Sequence, residues 1–146
     1  MRILIFGLPG SGKTTLAKPL SELINAQYFN ADQVRKQYDD WDFTPEGRQR
    51  QAYRMRYLCD GANAAGKIAI ADFVAPTQEF RDIFQPDFSV WMDTIAEGRF
   101  EDTNKMFEKP EKSWVNYHVS EWFNDTHTQL VKIIDSYMKR NQNGTD

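Results

Sequence analysis

Ile3-Leu4-Ile5-Phe6-Gly7-Leu8-Pro9-Gly10-Ser11-Gly12-Lys13-Thr14 stands almost at the start of the chain, and its reading decides the fold. Four apolar residues in a row predict a strand buried on both faces, as in a parallel sheet. Gly7 to Thr14 matches G-x-x-x-x-G-K-[ST], the P-loop. Glycines let the backbone curl until successive N–H groups point inward at phosphate oxygens. The N-terminus of the following helix adds partial positive charge. The Lys13 side chain suits the β- and γ-phosphates, and the Thr14 hydroxyl suits Mg²⁺. The pattern predicts nucleoside triphosphate binding through Gly7, Pro9, Gly10, Ser11, Gly12, Lys13, Thr14 and Thr15. It does not fix what becomes of the terminal phosphate.

Outward from that loop, short apolar runs alternate with helix-patterned stretches, the mark of a parallel sheet covered by helices. Strands are predicted at Ile3 to Phe6, Gln27 to Phe29, Lys67 to Phe73, Phe88 to Asp93 and Val115 to Val119. Helices are predicted from Thr14 to Ile24, kinked by Pro19, and from about Asp32, with Asp32 as N-cap. A long helix opens at Thr44-Pro45, with Thr44 capping, and ends near Gly66. A short one covers Thr77 to Phe84, and a last one Glu121 to Arg140. Thr94 to Lys112 is polar without a period, and Asn141 to Asp146 reads as a frayed tail. The fold class expected is α/β, a five-stranded parallel sheet with helices on both faces in a nucleotide-kinase arrangement. Residues 1–146 read as one such domain.

Composition narrows the function. The 146 residues carry a formal net charge of −3, 14% aromatics and one cysteine, Cys59. Nothing in that balance pulls the chain toward nucleic acid or anionic lipid. No Cys/His cluster has zinc spacing, and no apolar stretch is long enough to span a membrane. The expectation is a soluble, cytoplasmic domain, compatible with a homodimer. A GTPase is disfavoured, because Asn104-Lys105-Met106-Phe107 lacks the aspartate of N-K-x-D and Asp72 is not followed by a switch glycine.

The chain resembles the adenylylsulfate kinases over nearly its whole length. Phe6 to Thr15 is similar to that family's opening. Asn30-Ala31-Asp32-Gln33-Val34-Arg35 resembles D-G-D-N-x-R, and Phe43 to Gln51 resembles F-S-x-x-D-R-x-E-N. Phe73-Val74-Ala75-Pro76 with Arg81 resembles F-I-S-P and its downstream arginine. Phe100 to Pro110, with Phe107-Glu108, resembles F-T-G-I-D-S-P-Y-E-P-P. The chain departs from the pattern at Gly47 and Gln51, which stand where the family has Asp and Asn. The basic lid helix that precedes F-T-G-I-D in the family is also missing.

The resemblance implies an ATP- and Mg²⁺-dependent kinase for the 3′-hydroxyl of adenylylsulfate, a small nucleotide acceptor. Lys13 and Asp32 would be its catalytic groups. Asp32, at a strand end where ligands bind, would orient or deprotonate the acceptor hydroxyl. It and Asp72 would reach Mg²⁺ through water, beside Thr14. Arg35, Phe43, Arg48, Gln51, Phe73, Val74, Lys105 and Phe107 would contact the acceptor. Arg35 is read on the same helix face as Asp32. Arg48 continues the stripe Ala52, Met55, Cys59, Ala62, where a charge calls for a cleft. Arg50, Arg54 and the run Asp39-Asp40-Asp42 read as solvated, and Arg99 as a loop charge. Two other functions fit the motif: a kinase for another nucleotide or a polynucleotide hydroxyl, and an ATP-binding module without catalysis.

Overall fold

The computed structural model describes residues 1–122 and 124–143. Its first elements are β1 (Arg2–Phe6), α1 (Lys13–Leu23), β2 (Gln27–Asn30), α2 (Ala31–Tyr38) and α3 (Pro45–Ala64). Then come β3 (Ala69–Asp72), α4 (Gln78–Phe84), β4 (Phe88–Met92), α5 (Glu101–Met106), a 3₁₀ turn Lys112–Trp114, β5 (Tyr117–Val119) and α6 (Thr126–Asn143). All five strands are parallel, in the order β2-β3-β1-β4-β5. The expected fold class holds.

Strand alternation divides the core into two layers. Leu4 and Phe6 of β1 pack with Ala52, Met55, Cys59, Phe80 and Phe84 of α3 and α4. Ile3 and Ile5 point the other way, onto Leu16, Ala17 and Leu20 of α1 and Leu130 and Ile134 of α6. β1 is buried along most of its length because both layers meet on it. Its C-terminal end therefore feeds the P-loop from the middle of the sheet, which fixes where that loop stands.

Local boundaries differ from the sequence reading for physical reasons. α1 runs through Pro19, which leaves the Thr15 carbonyl without its helical donor but does not end the helix. The cap of α2 is Asn30, whose side chain accepts from the Gln33 N–H at 3.1 Å, so Asp32 is not the cap. β2 reaches Asn30 because that residue pairs in register with Asp72. Thr44 does cap α3, accepting from the Gly47 N–H at 3.2 Å, with Pro45 at the first helical position. The polar stretch contains α5, and residues 141–143, read as tail, continue α6. Residues 144–146 lie outside the described residues.

Candidate functional site

The loop after β1 enters α1 through Gly12, whose φ of 95° favours glycine. The first intrahelical bond runs from the Leu16 N–H to the Gly12 carbonyl at 3.1 Å. The N–H groups just before it therefore have no helical partner, as at every helix start. The Lys13 ammonium sits over the loop and donates to the Leu8 carbonyl at 3.1 Å. Burial pushes its pKa down, against the opposing pull of Asp72 and then Asp32, while Arg99 adds a smaller push downward. An ammonium held in that state gains from an incoming anion. The Ser11 hydroxyl, in the same loop, is buried without a protein partner.

Asp72, at the end of β3, is the polar centre beneath the loop. It is 2% exposed, and its Oδ2 accepts from Thr14 Oγ1 at 2.9 Å, Tyr28 Oη at 2.5 Å and Asn30 Nδ2 at 3.2 Å. Burial, and then the Asp72 charge, raise the Tyr28 pKa to about 12, so the phenol stays a donor to that carboxylate. Mg²⁺ favours one or two carboxylates together with hydroxyl, water and phosphate oxygens. Thr14, Asp72 and Asp32 supply hard oxygen donors of that kind beside the loop, so the residues present fit the ion.

A cavity of about 860 Å³ opens from the loop toward β2 and β3. Among the residues lining it are Lys13, Thr14, Asp32, Phe43, Arg48, Asp72, Phe73 and Val74, all named from the sequence. Arg48 reaches it as its stripe position implies: Nε donates to the Phe43 carbonyl at 2.9 Å, and the guanidinium stands 5.4 Å from the Phe43 ring centre. Trp41, Arg99, Phe100, Asp102 and Thr103 also line it. Trp41 and Phe100 were missed, although an aromatic between acidic residues and one at the head of a polar stretch are both unusual on a plain surface. Arg99 was passed over as a loop charge.

Four residues named for the acceptor stand outside that lining, each engaged elsewhere. Arg35 is 4% exposed; its Nη1 donates to the carbonyls of Asp40 and Asp42 at 2.9 and 3.1 Å. Its guanidinium lies 4.3 Å from the Phe43 ring centre, so it braces a cavity residue from behind. Asp32, by contrast, is exposed on the cavity side, so the two do not share a face. Gln51 is buried, donating to the Ala31 carbonyl at 3.1 Å and accepting from Arg54 at 2.7 Å. Lys105 is exposed and pairs with Glu101 one turn away at 3.4 Å. Phe107 packs against the core beneath Arg81, whose guanidinium is 5.1 Å from its ring centre.

The acidic run is no plain solvated loop. Asp40 takes Arg50 and Arg54 at 2.9 Å each, and those hydrogen bonds hold its carboxyl well below the usual carboxylate range. Arg54, read as solvated, is mostly covered by that pairing and by Tyr38, 4.4 Å from its guanidinium. The departure at Gly47 has a steric reason. A Cβ there would fall 2.1 Å from the Asp42 carbonyl oxygen, because the 40–44 loop folds flat against the start of α3. Cys59 is packing, its thiol pushed up to about 12 by burial.

A family model described as an AAA domain matches residues 3–138. The chain belongs to that family. Within it, 57 residues are 46% identical to the adenylate kinase of Pyrococcus furiosus, covering 38% of this chain and 25% of the relative. A stretch of 86 residues is 31% identical to the probable adenylyl-sulfate kinase of Aeropyrum pernix, 53% of this chain and 45% of that one. This AAA-domain chain thus matches a quarter and under half the length of two curated relatives. The solved structure of a Mycobacterium tuberculosis adenylylsulfate (APS) kinase, in complex with AMPPNP and APS, superposes with a TM-score of 0.77 at 14% identity. That match covers 92% of this chain and 96% of the kinase. Shikimate kinase from Acinetobacter baumannii superposes at 0.65 with 19% identity, over 92% of this chain and 93% of that one. The fold is shared by P-loop kinases of several acceptors. No helix among the described residues is long and apolar enough to cross a membrane.

Proposed function

We propose that this chain is a phosphotransferase that moves the γ-phosphoryl group of ATP to a hydroxyl of a small, anionic, ring-bearing molecule, with the 3′-hydroxyl of adenylylsulfate as the leading acceptor. The cavity carries this reading. It joins the loop suited to a triphosphate to three carboxylates (Asp32, Asp72 and Asp102), two arginines and four aromatic rings: Trp41, Phe43, Phe73 and Phe100. Flat rings call for a flat partner, and Arg48 and Arg99 for an anion. Shikimate, a trihydroxy acid whose ring is not aromatic, would answer the arginines but leave the four aromatic rings without a flat partner.

In the proposed reaction the acceptor oxygen bonds to the γ-phosphorus as the bridge to the β-phosphate breaks, leaving ADP. Asp32 aligns the acceptor hydroxyl and takes its proton as the new bond forms. Lys13 and the loop N–H groups hold the donor, and Arg99, within electrostatic reach of Lys13, stands where charge would build during transfer. Arg48 with Phe43 and Phe73 seats the acceptor, and Arg35 keeps the Phe43 ring in place. Thr14, Asp72 and Asp32 would hold Mg²⁺, which when bound would supply neutralisation of the phosphate charge. Most of the rate would come from placement and charge neutralisation.

The second reading, a larger nucleotide or polynucleotide acceptor, draws on the mouth of the same cavity, where Trp41, Phe43 and Phe100 are each about half exposed. ADP release with adenylylsulfate, other nucleotides, shikimate, gluconate and a 5′-hydroxyl oligonucleotide separates the readings. Turnover with adenylylsulfate and none with shikimate or gluconate is expected. Turnover only with the oligonucleotide moves the acceptor assignment. No acceptor raising ADP above the rate with water removes phosphotransfer and leaves a binding module.

A further inference from the structure

Arg99 is exposed, and its guanidinium rests on the Phe100 ring, 5.4 Å from the ring centre. A long side chain of that kind is placed no better than the backbone that carries it. That backbone is held in an unusual way.

Residues 94–98 run back along the phosphate loop. The Thr94 hydroxyl donates to the Ser11 carbonyl at 2.7 Å. Ile95 stands over Gly10, where a Cβ would meet its Cδ1 at 3.8 Å. Gly98 lies against Pro9: a Cβ there would come 3.0 Å from the Pro9 carbonyl oxygen and 3.2 Å from Pro9 Cδ. Residues 94, 95 and 98 thus meet residues 11, 10 and 9 in reverse order. Arg99, next in the chain, leaves this segment at the cavity, within electrostatic reach of Lys13.

The segment is closed by a side chain six residues further on. Asn104 of α5 accepts from the Gly98 N–H at 2.7 Å and donates to the Gly98 carbonyl at 2.9 Å. An amide answers both backbone groups at once, whereas a carboxylate could only accept. The Asn104 backbone N–H donates to the Phe100 carbonyl at 3.1 Å, so residues 98–104 form a closed ring that carries Arg99. Past α5, the Glu108 N–H donates to the Pro76 carbonyl at 2.7 Å, and Arg81 donates to the Glu108 carbonyl at 2.6 Å. The ring is therefore tied to the phosphate loop on one side and to the chain beyond β3 on the other.

We propose that Asn104 is a positioning residue for phosphoryl transfer: by gripping both backbone groups of Gly98 it seats the ring on Pro9 and fixes where Arg99 stands. The inference rests on the reading of Arg99 as the cation that meets the charge built up during transfer. It adds the residue through which that cation is placed. A displacement of about 1 Å at such a group can cost about 100-fold in rate.

A double-mutant cycle on kcat tests this. ADP release from Mg·ATP, with the acceptor that wild type turns over, is measured in wild type, Asn104→Ala, Arg99→Ala and the double variant, with the Tm of each. Asn104→Ala should lower kcat about 10- to 100-fold and leave the ATP KM within about threefold. In the Arg99→Ala background the same change should cost less than about threefold, because no guanidinium remains to be placed. Gly98→Ala, which pushes the segment off Pro9, should show the same dependence on Arg99, and it takes the place of Asn104→Ala in the cycle if that variant melts far below wild type. Unchanged kcat in Asn104→Ala overturns the proposal. So does an equal fractional loss in both backgrounds, which would make Asn104 a support of the fold alone. Unchanged kcat in Arg99→Ala takes Arg99 out of the mechanism, and the role of Asn104 with it, while keeping the phosphate site. Wild type that turns over no acceptor removes phosphotransfer itself, and the positioning role falls with it.

Discussion

Thr14 Oγ1 donates to Asp72 Oδ2 at 2.9 Å, tying the last residue of the phosphate-binding motif to the end of the neighbouring strand. The pairing follows from topology: β3 lies beside β1, so its C-terminal carboxylate comes to rest under the start of α1. Asp72→Asn keeps the shape and loses the charge. Activity, or its apparent Mg²⁺ affinity, should fall about 10- to 100-fold, the usual cost of losing a group that acts through water on a metal. A Mg²⁺ titration of the initial rate checks this.

Asp32 stands on the cavity wall, freed from capping by Asn30. Asp32→Ala should lower kcat by about 10² to 10⁴, the range for a positioned acid–base group, with ATP affinity nearly unchanged. Steady-state kinetics combined with equilibrium ATP binding separates the two terms. Unchanged turnover would take Asp32 out of the mechanism.

Arg48 and Arg35 make a matched pair, because both stand against the Phe43 ring and only Arg48 lines the cavity. Arg48→Ala should raise the acceptor KM about tenfold or more, leaving ATP KM and Tm almost unchanged. Arg35→Ala strips hydrogen bonds from the Asp40 and Asp42 carbonyls and should cost about 2 kcal/mol, or roughly 4–8 °C in Tm. Differential scanning fluorimetry beside acceptor kinetics distinguishes them.

Asp40 gives the pH dependence a sign. Hydrogen bonds from Arg50 and Arg54 lower its folded pKa, so the stability it confers is present above the unfolded value of about 4 and fades as pH falls below it. Asp40→Asn should therefore melt below wild type at neutral pH, and the gap should narrow steadily as the solution is acidified past about pH 4. Paired melting curves at falling pH measure the gap. A gap that widens in acid would mean the Arg50–Asp40–Arg54 cluster contributes nothing to the tie between α2 and α3.

What was legible in the chain follows from the range of the forces involved. β1 and its loop were readable because a strand buried on both faces and a phosphate-binding turn each leave a local pattern. Arg48 was readable because a helical stripe carries its own periodicity. Arg35 was misplaced because the carbonyls that draw it inward belong to a loop whose path depends on α3, not on α2's own spacing. Gln51 and Arg54 were misread for the same reason: their partners, Ala31 and Asp40, lie 20 and 14 residues away. The cap of α2 turned on where β2 stops, which its pairing with β3 decides. α5 has six residues and no apolar period, so nothing local marked it.

Every role proposed above depends on the loop after β1 taking a triphosphate with Lys13 as its anchor. Titration calorimetry of Mg·AMPPNP into wild type and Lys13→Met measures that. One nucleotide bound per chain by wild type, and at least about a 100-fold loss in the variant without a lower Tm, is the expected result. Equal affinity in both proteins, or no heat with either, would contradict it.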